Sequence, residues 1–451
     1  MAPPMHACVR IPAPWRDPVE VLGSFAEEPW ALALLSGGGG PRGRWSYLAR
    51  NPDAVLTLTA SDPRDPFDLL ADLLGDVAPA VTGGPPFQGG VAGLACYELG
   101  DRVESLGLGR AAPWPDLACG RYNAVLAFDH VERIVLAIGR GEARGEAEAR
   151  ARAALSWVDA APRSPVTGPL SQDLSASDGG AYEAAVAQVV ARIRGGELFQ
   201  ANIARAWTGR LVGAATPFDL LARLAGQSAA PFAGYLRLAD LALVSNSPER
   251  FVSLDAAGRA ESRPIKGTRP RGGCGPADAA LAAELLASPK DRAENLMIVD
   301  LMRNDLARVC RPGSVRTPEL FALESFANVH HLVSAVTGEM AADRHAFDLL
   351  RAAFPPGSVT GAPKVQAMKT IAGLEPPRGP YCGSLFWAGC DGAFDSSVLI
   401  RSVGCVADAN GWGLEARAGA GIVADSEPAA ERAETEAKVS ALLRALTGAA
   451  E

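Results

Sequence analysis

The amino-acid sequence predicts an α+β protein, and three observations carry that expectation. Between Glu28 and Phe128, short apolar runs broken by Gly and Pro read as strands and hairpins. Beyond about residue 175, stretches with apolar residues at helical spacing recur among further strand-like runs. Between the two lies Ala161-Pro-Arg-Ser-Pro-Val-Thr-Gly-Pro169, too rich in proline to continue a helix. The expected organisation is a β-rich region over residues 1–165 and a larger unit over 175–451.

In the first region the strand signals are Trp30-Ala-Leu-Ala-Leu-Leu35 ahead of the glycines at 37–40, Ala54–Leu58 and Ala124–Phe128. Residues 141–156, rich in Ala, Glu and Arg, predict one helix. In the second region Ser177 or Asp178 can cap a helix bearing Tyr182, Val186, Val189, Val190 and Ile193, with Gly195-Gly196 as its stop. Gly234–Leu238, Leu241–Val244 and Arg250–Leu254 predict strands, the last turning at Asp255-Ala-Ala-Gly258 into a hairpin. Helices are expected at about 277–288, 291–303, 345–354, 363–373 and 428–446, and strands at about 382–389, 396–404 and 412–419.

With 451 residues, 48% of them hydrophobic, the chain can bury a core without disulfide or metal staples. Its 43 Lys+Arg against 51 Asp+Glu, a net charge of −8, argue against sequence-independent nucleic-acid binding, which needs clustered cations. The eight cysteines are dispersed, without a Cys-x-x-Cys pair, so structural zinc is not expected. No apolar stretch approaches the ~18 residues of a membrane span and no secretory leader is evident, so a soluble, reduced, cytoplasmic protein is expected. Lysine is scarce, which draws notice to each one present.

Several constellations could carry chemistry. Asp291 and Glu294 share one helix face, and Glu431 and Glu434 repeat the arrangement near the C-terminus. Separately these are solvated surfaces; brought together, four carboxylates would call for a divalent cation such as Mg²⁺. Ser358-Val-Thr-Gly-Ala-Pro-Lys364 leads into a helix start, where free N–H groups and hydroxyls make either an anion site or an ordinary cap. Lys266 follows the hairpin; exposed it is an ammonium, buried it is a nucleophile. Glu249, one strand earlier, would become a general acid in an apolar pocket and a mere partner of Arg250 on the surface.

These segments, in this order, resemble the chorismate-utilising enzymes: anthranilate synthase component I, aminodeoxychorismate synthase component I, and the isochorismate and salicylate synthases. The resemblance rests on Ser247-Pro-Glu-Arg-Phe251, Arg263-Pro-Ile-Lys-Gly-Thr268, the segment Asp291–Asp305, Val329-His-His-Leu-Val-Ser334, Ser358–Lys364, Gly379-Pro-Tyr-Cys-Gly-Ser384, Ile400-Arg-Ser402, Ala418-Gly-Ala-Gly421 with the residues to Ser426, and Glu434-Thr-Glu-Ala-Lys438. It spans about 180–445 and implies an anthranilate synthase component I-like fold, a β-sandwich with helices on its outer faces.

Lysine at 266, where anthranilate synthases carry alanine, is similar to aminodeoxychorismate synthase component I. The resemblance then implies that the Lys266 amine adds to chorismate, that Glu249 protonates the departing hydroxyl, and that ammonia displaces the lysine to give 4-amino-4-deoxychorismate, for 4-aminobenzoate and folate or a secondary metabolite. It implies Mg²⁺ on Glu294 and Glu434 with Asp291 and Glu431 behind them, and Arg401, Tyr381 and Gly421 around the enolpyruvyl carboxylate. Ser358 and His331 would line the ring, although a histidine in an apolar run is more often a core residue. Ser36, in the weakly matching N-terminal half, could belong to a tryptophan site. No Gly-x-Cys-x-Gly elbow of a glutaminase is present, so ammonia is expected from a separate glutamine amidotransferase subunit or from solution. The competing expectations are anthranilate synthase, isochorismate or salicylate synthase, and a catalytically silent scaffold.

Overall fold

The computed structural model describes residues 7–37, 43–78, 83–161, 163–227, 230–271, 275–325 and 329–448. The glycines at 38–40, Pro162 and Cys274, which figure in the sequence reading, lie outside the described residues. Two antiparallel sheets, of 12 and 10 strands, form the framework. Neither belongs to one end of the chain. In the larger sheet Leu32–Leu35 pairs with Phe232–Arg237, placing Ala33 opposite Tyr235. In the smaller one Gly90–Ala95 pairs with Ser384–Gly389 along its whole length.

Strand alternation sorts the side chains into layers. Along Gly90–Ala95, Ala92 and Leu94 join Leu32, Tyr47, Leu243 and Trp387 in a cluster between the sheets. Val91 and Ala95 face the other way, into a cluster shared with the helices Pro66–Leu74, Pro289–Ala307 and Ala346–Ala353. The outer face of the larger sheet is covered by Arg144–Val158, Pro217–Gln227 and the later turns of Pro428–Thr447. The result is an α+β sandwich with helices outside, as expected from the sequence. No helix among the described residues is long and apolar enough to cross a membrane.

Local signals place most elements. Asp178, and not Ser177, caps Gly179–Arg194 by accepting from the Gly180 N–H at 2.8 Å, and Gly196 leaves the helix at φ +81°. The hairpin turn closes at Gly258, φ +84°, and aligns Leu254 with Ala260. Two expectations need correction. The apolar run at 396–404 is not one strand: Phe394–Ser397 belongs to the smaller sheet and Ser402–Asp408 to the larger. Between them the chain crosses over, with Arg401 at φ +51°. The N-terminal region also contains a helix, Pro66–Leu74, whose start signal was present: Asp65 accepts from the N–H groups of Phe67 and Asp68 at 2.9 and 3.0 Å, and proline follows it.

Candidate active site

Where the strands Gln200–Arg210 and Gly411–Ile422 of one sheet approach Ile265–Pro270 of the other, they enclose a cavity of about 610 Å³. Lys266 projects into it. A Cβ added to Gly421 would stand only 3.2 Å from the Lys266 Nζ, so the bare glycine gives the amine its place. Part of the lysine surface opens to the cavity, but dense surrounding protein desolvates the ammonium and lowers its pKa from the usual lysine value. Lys438 pushes the same way, while Glu294, Glu249 and Glu434 oppose.

Glu249 lines the same cavity at 8% exposure. Its environment is fixed from three sides: Val398 N–H donates to its carbonyl at 3.0 Å, Ser247 Oγ receives its N–H at 3.2 Å, and Ser358 Oγ donates to Oε1 at 2.6 Å. Burial raises its pKa above the ordinary glutamate value, against the lowering effects of Ser358, Lys266, Lys438 and Arg401. Burial of this kind favours the protonated carboxyl relative to an exposed glutamate. Arg250 is not its partner; that guanidinium pairs with Asp395 at 2.9 Å.

The two acidic helix faces meet. Asp291, Glu294, Glu431 and Glu434 all border this cavity, the first two from Pro289–Ala307 and the others from Pro428–Thr447. They are not equivalent. Asp291 takes Arg269 at 3.2 Å, and Glu431 accepts the Ser426 hydroxyl at 2.6 Å, whereas among the described residues Glu294 makes no contact closer than the ion pair with Lys290 at 4.0 Å. Desolvation raises the pKa of both Glu294 and Glu431, and the neighbouring Glu434 adds to the effect. Among the described residues no three His, Cys, Asp or Glu side chains form a protein-only metal cage. A half-buried carboxylate with no hydrogen-bonding partner among the described residues, near Glu434 and with Lys266 and Lys290 as its cationic neighbours, nevertheless fits a Mg²⁺ that takes one or two carboxylates and completes its shell with water and substrate oxygens.

Around the remainder of the wall, the Arg401 guanidinium stands open with no hydrogen-bonding partner among the described residues, a fork available to a carboxylate. Tyr381 is buried beside Gly419. His331 shares a hydrogen bond between Nδ1 and Thr268 Oγ1 at 2.9 Å, and burial with Arg401 nearby pulls its pKa down to about 4, so the ring is neutral. The Ser358–Lys364 segment differs from its simplest sequence reading. Ser358 is spent on Glu249, Thr360 donates to the Pro356 carbonyl at 2.8 Å, and Lys364 turns away to Asp305 at 2.8 Å. Its hydroxyls therefore do not supply a free anion site. Ser36 lies apart, on a separate hollow of about 140 Å³ bordered by Trp45, Tyr47 and Trp387, and its hydroxyl donates to the Pro231 carbonyl at 3.2 Å.

Lys438 and Asn202 of the cavity wall, and Gln200 buried behind Gly421, escaped the sequence reading. Lys438 pairs with Glu434 at 2.7 Å and donates to the Gly419 carbonyl at 2.9 Å; its place one turn after Glu434 was the available signal. Gln200 and Asn202 point the same way from one strand, and Gln200 Nε2 would lie 3.1 Å from a Cβ on Gly421. Both amide atoms of Gln200 and the Asn202 Oδ1 are buried without a hydrogen-bond partner among the described residues.

The family model described as chorismate binding enzyme matches residues 34–444 of this chain. The chain belongs to the chorismate-binding enzyme family. Aminodeoxychorismate synthase component 1 of Klebsiella aerogenes is 39% identical over 463 residues, covering 97% of this chain and 98% of that protein. Anthranilate synthase component 1 of Thermus thermophilus is 36% identical over 458 residues, covering 95% of each. The crystal structure of anthranilate synthase component I from Streptococcus pneumoniae superposes with a TM-score of 0.79 at 27% identity, covering 90% of this chain and 93% of that one. This chorismate-binding enzyme thus shares its architecture with an anthranilate synthase component I, and its sequence with bearers of both names.

Proposed function

We propose that this chain is an aminodeoxychorismate synthase component I, converting chorismate and ammonia to 4-amino-4-deoxychorismate. One observation carries the reading: a desolvated lysine amine, Lys266, stands in the cavity over Gly421 between Glu249 and Glu294. Desolvation favours the neutral amine, the form that acts as a nucleophile. It adds to ring carbon 2, both ring double bonds shift, and the carbon 4 hydroxyl leaves with the proton of Glu249 as water. Ammonia then adds at carbon 4, both double bonds return, and the lysine departs. Its proton balance closes when Glu249 recovers a proton from the added nitrogen.

Arg401 and Tyr381 orient the enolpyruvyl carboxylate, while neutral His331 and Ser358 confine the ring. Glu294 and Glu434 would hold Mg²⁺, with Asp291 and Glu431 orienting its waters; when bound, the ion supplies Lewis-acid neutralisation of the ring carboxylate. The ammonia comes from a separate glutamine amidotransferase subunit, in keeping with the component 1 designation of the relatives.

The test is product analysis after incubation with chorismate, Mg²⁺ and ammonium chloride. The expected product is non-fluorescent until a lyase releases 4-aminobenzoate, and Lys266→Ala abolishes its formation. Anthranilate fluorescence from the wild-type chain would instead favour the reading suggested by the Thermus relative. Undiminished 4-aminobenzoate formation by Lys266→Ala would remove the covalent step.

A further inference from the structure

Four of the chain's five lysines have an evident place. Lys364 is paired with Asp305 at 2.8 Å and Lys438 with Glu434 at 2.7 Å, while Lys290 and Lys369 are exposed to water. Lys266 is the exception: among the described residues no hydrogen bond or ion pair engages its amine, which opens on the cavity of about 610 Å³. The unpartnered Arg401 guanidinium borders the same space, and the charges of both Lys266 and Arg401 act on the Glu249 carboxyl, whose burial favours its protonated form. An unengaged amine, a fork for a carboxylate and a buried carboxylic acid therefore converge in one cavity.

That set meets the needs of imine chemistry. A neutral amine adds to a carbonyl carbon, an acid expels the oxygen as water, and a cation anchors an acidic substituent. We propose that Lys266 also condenses reversibly with a small α-keto acid, whose carboxylate occupies the Arg401 fork. The amine nitrogen bonds to the keto carbon, and one of its protons passes to the carbonyl oxygen, giving a carbinolamine. Glu249 then protonates that hydroxyl, the C–O bond breaks, and water leaves. The product is a cationic iminium beside the Glu249 carboxylate, with no oxidant or reductant consumed. Glu294 and Glu434, whose charges favour a cation at the lysine nitrogen, favour the iminium in the same way. The adduct occupies the nucleophile, so an abundant keto acid competes with chorismate. This inference rests on the placement of Lys266 that the amination reading uses, and not on the product of that reading.

Reductive trapping tests the adduct. The full chain is incubated with pyruvate and sodium cyanoborohydride, which delivers hydride to the iminium carbon and fixes a carboxyethyl group on the nitrogen, and peptide mass spectrometry locates the labelled lysine. Acetone, which has the carbonyl without the carboxylate, is the comparison. Labelling by pyruvate is expected to be faster at Lys266 than at Lys290 or Lys369. Its preference over acetone should be about tenfold larger at Lys266 than at those exposed lysines, since one charge-assisted hydrogen bond to the carboxylate contributes about that much. Chorismate should protect Lys266, and a folded Arg401→Met chain should lose the extra preference. Labelling at Lys290 or Lys369 as fast as at Lys266, the same preference at all three, or an extra preference that survives in Arg401→Met overturns the proposal. The two readings fail separately. A wild-type chain that aminates chorismate but takes no label at Lys266 sinks the keto-acid adduct, whereas a chain labelled at Lys266 that yields no aminated product sinks the amination reading and leaves the adduct standing.

Discussion

Gly421→Ala separates positioning of the amine from the integrity of the fold. A Cβ at 421 would sit 3.2 Å from Lys266 Nζ, 3.1 Å from Gln200 Nε2 and 3.2 Å from Gln200 Cδ, all at the ends of flexible side chains. Those ends must retreat by a few tenths of an ångström. Since a misplacement of about 1 Å costs roughly 10²-fold, a displacement of this size predicts a fall in kcat of about three- to tenfold, or ~0.7–1.4 kcal/mol of barrier. Gly421 is not among the residues with positive φ, so the backbone accepts alanine and thermal stability changes little. Gly419→Ala is the contrast: its Cβ would lie 2.8 Å from the Ile203 carbonyl, which is backbone and cannot yield. That variant should lose stability by about 1–3 kcal/mol. The assay is ammonia-dependent product formation alongside denaturant unfolding of both variants. A Gly421→Ala enzyme with wild-type kcat would refute the placement of the amine against this glycine.

Three further outcomes follow from the site. Ser358→Ala removes a hydrogen bond that lowers the Glu249 pKa. Because Glu249 must be protonated, the alkaline limb of the kcat/KM profile should move to higher pH while the rate falls about tenfold, and an unmoved limb would mean that another group donates the proton. Lys266→Met should abolish amination yet raise Tm by about 1–3 °C at neutral pH. The sign comes from burial: the folded pKa is depressed, so stability is full above the unfolded lysine pKa and is lost as pH falls through the folded one, a penalty methionine does not carry. Lys364→Met strands Asp305, which is 2% exposed and paired with the lysine at 2.8 Å; urea unfolding should report a loss of about 3–5 kcal/mol, and a loss under 1 would mean that Asp305 simply takes up a proton.

Much of the site was legible because its residue types are chemically conspicuous and its segments keep a fixed order. Two acidic pairs at helical spacing announce faces, and a scarce lysine after a hairpin announces itself. Whether the faces converge is a matter of tertiary structure, since Asp291 and Glu431 stand far apart in sequence and meet only where two sheets close over one another. The crossover at 398–401 was illegible for a similar cause. Ser396 to Cys405 contains no proline and a single late glycine, so nothing local says that the chain changes sheets. Gln200 and Asn202 were missed because strand amides are ordinary on a solvated face; only burial without partners makes them informative.

Leu32–Leu35 against Phe232–Arg237, and Gly90–Ala95 against Ser384–Gly389, have a consequence for how the chain can be made and cut. A ribosome that has released the first third of the polypeptide has supplied strands whose hydrogen-bonding neighbours are not yet synthesised, and neither sheet can be completed until about residue 400 has emerged. Severing the gene near codon 170 would therefore give two insoluble pieces with bare β-edges, recoverable only by expressing them together.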